Sequence, residues 1–180
     1  AVLADSLGGE LFCVGTGFRH AAVERPNFWM ELIRDVRSKY SGKVIYAANW
    51  DNYEKIKFWD QLDYIGIDAY FPLDTAKHPS KSTLVDRWHP LKLSLSTFSE
   101  QQQKAVLFTE YGYRSVCRTA GPHWEWENYP FDEETQHTAY QAFFESVWKE
   151  PWFAGGFLWK WRFIENAGGL NDRGFNKKKK

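Results

Sequence analysis

Glu110 follows the apolar run "AVLFT" (residues 105–109) without a spacer, and Tyr111, Tyr113 and Arg114 come close behind it. A carboxylate at the mouth of a hydrophobic strand, with phenols and a guanidinium in reach, suits two roles. It is either a structural partner for Arg114 or a nucleophile supported by hydrogen bonds and a nearby cation. Similar boundaries recur along the chain. "LFCVG" runs into Thr16, Arg19 and His20, and "KVIYAA" into Asn49, Trp50 and Asp51. "LDYIGID" ends at Asp68 with Tyr70 beyond it, and "AGGFLW" ends in Trp159, followed by Lys160 and Trp161. One boundary lacks an acid: "CVGTGFRH" (13–20) offers Gly15 and Gly17, then two basic residues.

Other chemistries fit these residues less well. A GxG at a strand end without GxGxxG or GxxxxGK does not make a phosphate loop. Lys160 between tryptophans, with no carboxylate paired to it, is a weak Schiff-base lysine. The histidines show neither HxH nor HExxH, and Cys13 and Cys117 have no CxxC spacing, so neither a metal site nor any other cofactor is expected.

The elements that position these groups follow from periodicity. The apolar runs at 11–15, 43–48, 62–68, 105–109 and 154–159 are short and rich in β-branched or aromatic residues, which favours buried strands. Helical patterns lie between them. Phe28, Trp29, Leu32, Ile33, Val36 and Tyr40 share a face with Gly42 as a stop; Leu84, Trp88, Leu91, Leu95 and Phe98 form a second stripe. In that second helix, Pro90 is compatible only with a first turn or a kink. Residues 132–150 form a third helix with an acidic first turn, and 52–62 a short fourth. Alternating strand and helix implies a parallel sheet with right-handed crossovers. Polar residues at every C-terminal strand edge point to part of a (β/α)8 barrel, whose sites lie on that face. Five strands are too few to close one.

Composition excludes several partners. Lys plus Arg and Asp plus Glu both number 23 in 180 residues, so no net charge attracts nucleic acid. No apolar run reaches the roughly 18 residues of a membrane span. The 10 Trp, 9 Tyr and 14 Phe suit the C–H faces of sugars as well as a core. Residues 1–176 read as one partial domain, and 177–180 as a basic tail without function.

Three separated segments, "VIYAANWDNYEKIKFWDQLDYIGIDAYFPL", "VLFTEYGYRS" and "PWFAGGFLWKW", resemble glycoside hydrolase family 113, a clan A family of (β/α)8 enzymes known chiefly as β-mannanases. The resemblance covers about residues 11–175 and corresponds to barrel strands four to eight. It implies a retaining mechanism on β-mannan or a related β-linked glycan, with Glu110 as the strand-seven nucleophile. The strand-four motif ends in Glu two positions after Gly, so Gly17 stands at the acid/base position and activity is expected to be impaired. The resemblance further implies that Trp159 stacks the sugar being cleaved. Tyr70, Asp68, Asn49, Trp50 and Arg114 are candidates for holding substrate or the nucleophile. A secreted or cell-surface location, and self-association through open sheet edges, are further expectations. The alternatives are a non-catalytic carbohydrate-binding remnant and an incomplete gene product.

Overall fold

Residues 1–161, 169 and 171–175 are described by the computed structural model. In chain order the elements are α1 (Val2–Ser6), β1 (Leu11–Thr16), α2 (Arg19–Glu24), α3 (Pro26–Arg37), β2 (Lys43–Asn49), β3 (Ile65–Asp68), α4 (Lys81–Gln102), β4 (Val106–Tyr111), α5 (Glu133–Ser146) and β5 (Phe153–Leu158). All five strands are parallel and lie side by side in sequence order. An open doubly wound sheet reverses strand order at a switch point; this one does not, as expected for a run of (β/α)8 barrel strands. Because every strand runs the same way, all five C-terminal ends share one edge of the sheet. The tail at 177–180 lies outside the described residues.

The outer face of the sheet is sealed by aromatic rings. Trp29 of α3 stacks on Phe58 at 5.7 Å, and Phe143 of α5 stacks on Tyr111 at 4.7 Å. Trp88 of α4 packs against Phe71 and Phe143. Burying each such ring contributes about 1.5–3 kcal/mol, which fixes the helices on the sheet and so fixes the strand ends. Much of the aromatic excess therefore serves the core.

Three helical expectations are corrected. Residues 52–62 form two 3-10 turns, Tyr53–Lys55 and Trp59–Gln61, instead of a helix. Ile56 between them is extended, and the Trp59 indole donates to the Tyr53 carbonyl at 2.9 Å, so burial of Phe58, Trp59 and Leu62 overrides helical spacing. Helix α3 ends at Arg37, short of Gly42, because the Ser38 hydroxyl donates to the Asp35 carbonyl and Tyr40 turns back to Gly9. Helix α5 stops at Ser146, while its start is as read: Asp132 caps it by accepting from the Thr135 N–H at 3.0 Å. Pro90 stands in the interior of the 22-residue α4. Strand β3 begins at Ile65, later than the apolar run, because the Asp63 carboxylate accepts from the Val44 N–H at 2.7 Å.

Candidate active site

Strand β4 carries Glu110 to the C-terminal edge, where it is in register with Asp68 of β3. The Ala69 N–H donates to the Glu110 carbonyl at 2.7 Å, extending the pairing past β3. The chain then turns so that the Tyr70 hydroxyl donates to Glu110 Oε2 at 2.7 Å. Burial, then the hydrogen bond to Glu110 and the charge of that carboxylate, push the Tyr70 phenol well up. Tyr70 therefore stays a donor throughout the neutral range and orients one oxygen of the Glu110 carboxylate.

Asp68 is the second carboxyl group of this edge and is only 7% exposed. It accepts from the Thr109 hydroxyl at 2.8 Å and from the Thr16 hydroxyl at 3.3 Å. Burial, with the Glu110 charge adding to it, pushes Asp68 up to about 6 despite these two donors. An unfolded Asp titrates near 3.8, so between pH 4 and 6 the native state binds the extra proton. Stability from this group is full below 3.8 and lost as pH rises through about 6, a fall of about 3 kcal/mol. Urea titrations of the parent and Asp68→Asn across that interval should show the decline in the parent and its loss in the variant. An equal decline in both would remove Asp68 as its source.

Arg114 is not the partner of Glu110: its Nε donates to the Arg173 carbonyl at 2.9 Å. Among the described residues no ion pair reaches Glu110, whose support comes from a neutral phenol instead of the expected cation. Asn49 is in register with Asp68. Trp50 lies farther along the edge, T-shaped against Phe71 and stacked with Trp124 at 6.5 Å and 9° between planes. Trp159 follows β5, with its N–H bonded to the Tyr111 carbonyl at 2.8 Å and its side chain 43% exposed. Gly112 permits that approach, since a Cβ there would overlap the Trp159 carbonyl oxygen. The peptide bond from Trp159 to Lys160 is cis, and the Lys160 ammonium lies over the Trp159 ring.

Gly17 lies just past β1, exposed, with φ +69° and no atom within 4 Å of where a Cβ would be. It offers no carboxyl group. Asp51, beyond β2, pairs its Oδ2 with Arg19, while its buried Oδ1 has no hydrogen-bond partner among the described residues. Three contributors to this edge escaped the sequence reading. Thr109, which precedes Glu110, reads as an ordinary strand residue until its hydroxyl is seen on Asp68. His123 and Trp124 come from the 3-10 helix His123–Asn128 between β4 and α5; the His123 ring packs 5.4 Å from Tyr70, and burial holds its imidazole below the ordinary value. No spacing signal in the sequence marks either one. Among the described residues no group of His, Cys, Asp and Glu could hold a metal ion, and no helix is long and apolar enough to cross a membrane.

The model of Glycoside Hydrolase Family 113 matches residues 1–178. Among solved structures, the family 113 β-mannanase AaManA from Alicyclobacillus acidocaldarius, in complex with ManMIm, superposes with a TM-score of 0.80 at 29% identity. The match covers 96% of this chain and 52% of that enzyme. A second family 113 β-1,4-mannanase complex gives 0.79 at 25% identity, covering 97% of this chain and 53% of its own. A β-glucuronidase from Faecalibacterium prausnitzii shares the fold at TM-score 0.65 and 21% identity, over 96% of this chain and 29% of its own. The chain thus spans about half the length of the two mannanases. Among curated proteins, none matches.

Proposed function

The chain belongs to glycoside hydrolase family 113, and from that premise we propose that its sheet edge is a retaining glycosidase site for β-mannan or a related β-linked glycan, with its acid/base position vacated. The observation that carries the reading is the 2.7 Å hydrogen bond from Tyr70 to Glu110 at the C-terminal edge of a parallel sheet. Glu110 Oε1 attacks the anomeric carbon, the glycosidic bond to the leaving oxygen breaks, and a glycosyl ester forms on Glu110. Water then attacks the same carbon and releases the carboxylate. Tyr70 keeps Oε2 in place through both steps.

A retaining enzyme needs a second carboxyl group about 5–5.5 Å from the first, to protonate the leaving oxygen and later to deprotonate water. Gly17 stands at that position in this account and supplies nothing. Losing a general acid typically costs about 10²–10⁴ in rate when the leaving group is poor. The chain should therefore hydrolyse an aryl glycoside, whose phenolate leaves unaided, far better than mannan.

Trp159 is the proposed stacking platform, a half-exposed ring at the end of β5 that has a face to offer to a pyranose. Trp159→Ala should weaken mannotriose binding at least tenfold in calorimetry, about 1.4 kcal/mol, with the far-ultraviolet circular dichroism unchanged. Global unfolding of the variant would mark the ring as a packing residue instead.

A non-catalytic carbohydrate-binding role is the second reading, favoured by an exposed Gly17 that brings no carboxyl group and by the exposed rings of Trp159 and Trp124. Turnover of aryl β-mannoside measured beside mannotriose binding separates the two, since binding without any turnover supports the second reading.

A further inference from the structure

Thr16 and Thr109 hold matching places in the sheet. Thr16 ends β1 and directly precedes Gly17, while Thr109 of β4 directly precedes Glu110. Both hydroxyls donate to one carboxyl group: Thr109 to Asp68 Oδ1 at 2.8 Å and Thr16 to Asp68 Oδ2 at 3.3 Å. Asp68 ends β3, which adjoins β4 but is separated from β1 by β2. The two bonds therefore join three strand ends, one of them across an intervening strand.

Backbone pairing is irregular at the same two places. Ile67 of β3 pairs with Phe108 and Asp68 with Glu110, so Thr109 is an extra residue in β4. From Cys13 to Thr16 strand β1 advances three residues, while β2 advances two, from Ile45 to Ala47. Each strand thus carries a bulge just before Gly17 or Glu110, and a bulge re-aims the side chains around it. Where the ladder slips, a side-chain tie decides how the next residue stands. A carboxylate suits that task, because its two oxygens accept from two hydroxyls at once and bonds to an ionised acceptor are the stronger kind. At 7% exposure Asp68 is enclosed by the strand ends and is not presented to a ligand.

We propose that Asp68 is a positioning residue, a clasp that fixes Gly17 and Glu110 relative to each other by holding the threonine before each. Its consequence for chemistry rests on the glycosidase reading, in which these are the acid/base position and the nucleophile, a pair that a retaining enzyme keeps about 5–5.5 Å apart. The clasp itself can be tested without a sugar.

Asp68→Ala would cut both arms at once and leave a gap between the strands, so the threonines are replaced instead. Valine keeps the shape of threonine and loses the hydroxyl; serine keeps the hydroxyl and loses the methyl. In the whole chain, labelled with nitrogen-15, the backbone amides of Gly17 and Glu110 are compared among the parent, Thr16→Val, Thr16→Ser, Thr109→Val and Thr109→Ser. The amide on the far strand decides. Thr16→Val should shift Glu110, and Thr109→Val should shift Gly17, while each serine leaves the far amide in place.

Reaction of Glu110 with an activated fluoroglycoside supplies the second readout. Thr109→Val should slow its rate constant by about ten- to a hundredfold, the scale of a small misplacement, with the half-saturating concentration unchanged. Thr109→Ser should restore the parent rate. Far amides that stay put in both valine variants, or serines that act as the valines do, overturn the clasp; the second result would mark the threonines as packing residues. A parent whose Glu110 is never labelled overturns the nucleophile assignment, and far-amide shifts in that chain still support the clasp.

Discussion

Replacing Glu110 with alanine is expected to cut turnover of an activated aryl β-mannoside by about 10⁴-fold or more, the scale at which nucleophile deletions act. Without the carboxylate no glycosyl ester forms, and the face it occupied is open. Added azide should then attack the anomeric carbon directly and give a glycosyl azide of inverted configuration. In the parent, azide should meet the glycosyl ester proposed on Glu110, entering from the side proposed for Gly17, and give the retained azide. Glu110 is partly exposed and, among the described residues, its side chain hydrogen-bonds Tyr70, so the variant should keep its fold. Turnover within tenfold of the parent, or the same azide anomer from both proteins, would remove Glu110 as the nucleophile.

Gly17→Glu is expected to work in the opposite direction, raising hydrolysis of unactivated mannan by about 10²–10⁴. The comparison is best made both in the chain itself and in a fusion that supplies the portion of a family 113 relative the chain does not cover. Space is no obstacle, since nothing lies within 4 Å of the new Cβ. Backbone conformation is: at φ +69° a side chain costs about 1–2 kcal/mol, so the loop must relax or the variant loses some stability. Activity on an aryl glycoside should rise far less, because its leaving group needs no proton. A Gly17→Glu protein that binds mannan but hydrolyses it no faster than its parent would show that residue 17 is not the acid/base position.

The parallel sheet was legible because each strand announces itself twice, as a short apolar run and as a change to polar residues at its end. Glu110, Asp68 and Tyr70 could be named for that reason, and the fold brings them together across β3 and β4. Partnership was less legible than position. Arg114 is the nearest cation to Glu110 along the chain, yet a guanidinium four residues on reaches the Arg173 carbonyl, while the phenol forty residues earlier meets the carboxylate. Contacts between neighbouring strands are set by register, which sequence spacing does not report. The segment 52–62 misled for a different reason: its apolar residues have helical spacing but are buried from two short turns, with tertiary packing overriding propensity. His123 and Trp124 lie in a 3-10 helix, His123–Asn128, whose ring partners Tyr70 and Trp50 are far back along the chain, so no local spacing marks them.

The most direct measurement is to incubate the chain with a 2-deoxy-2-fluoro mannosyl fluoride, whose fluorine slows breakdown of the glycosyl ester, and to map the modified peptide by mass spectrometry. A single label on Glu110, absent from Glu110→Gln, is the result predicted here. A label on Asp68 or another carboxylate, or an unlabelled chain that still binds mannotriose, would contradict it.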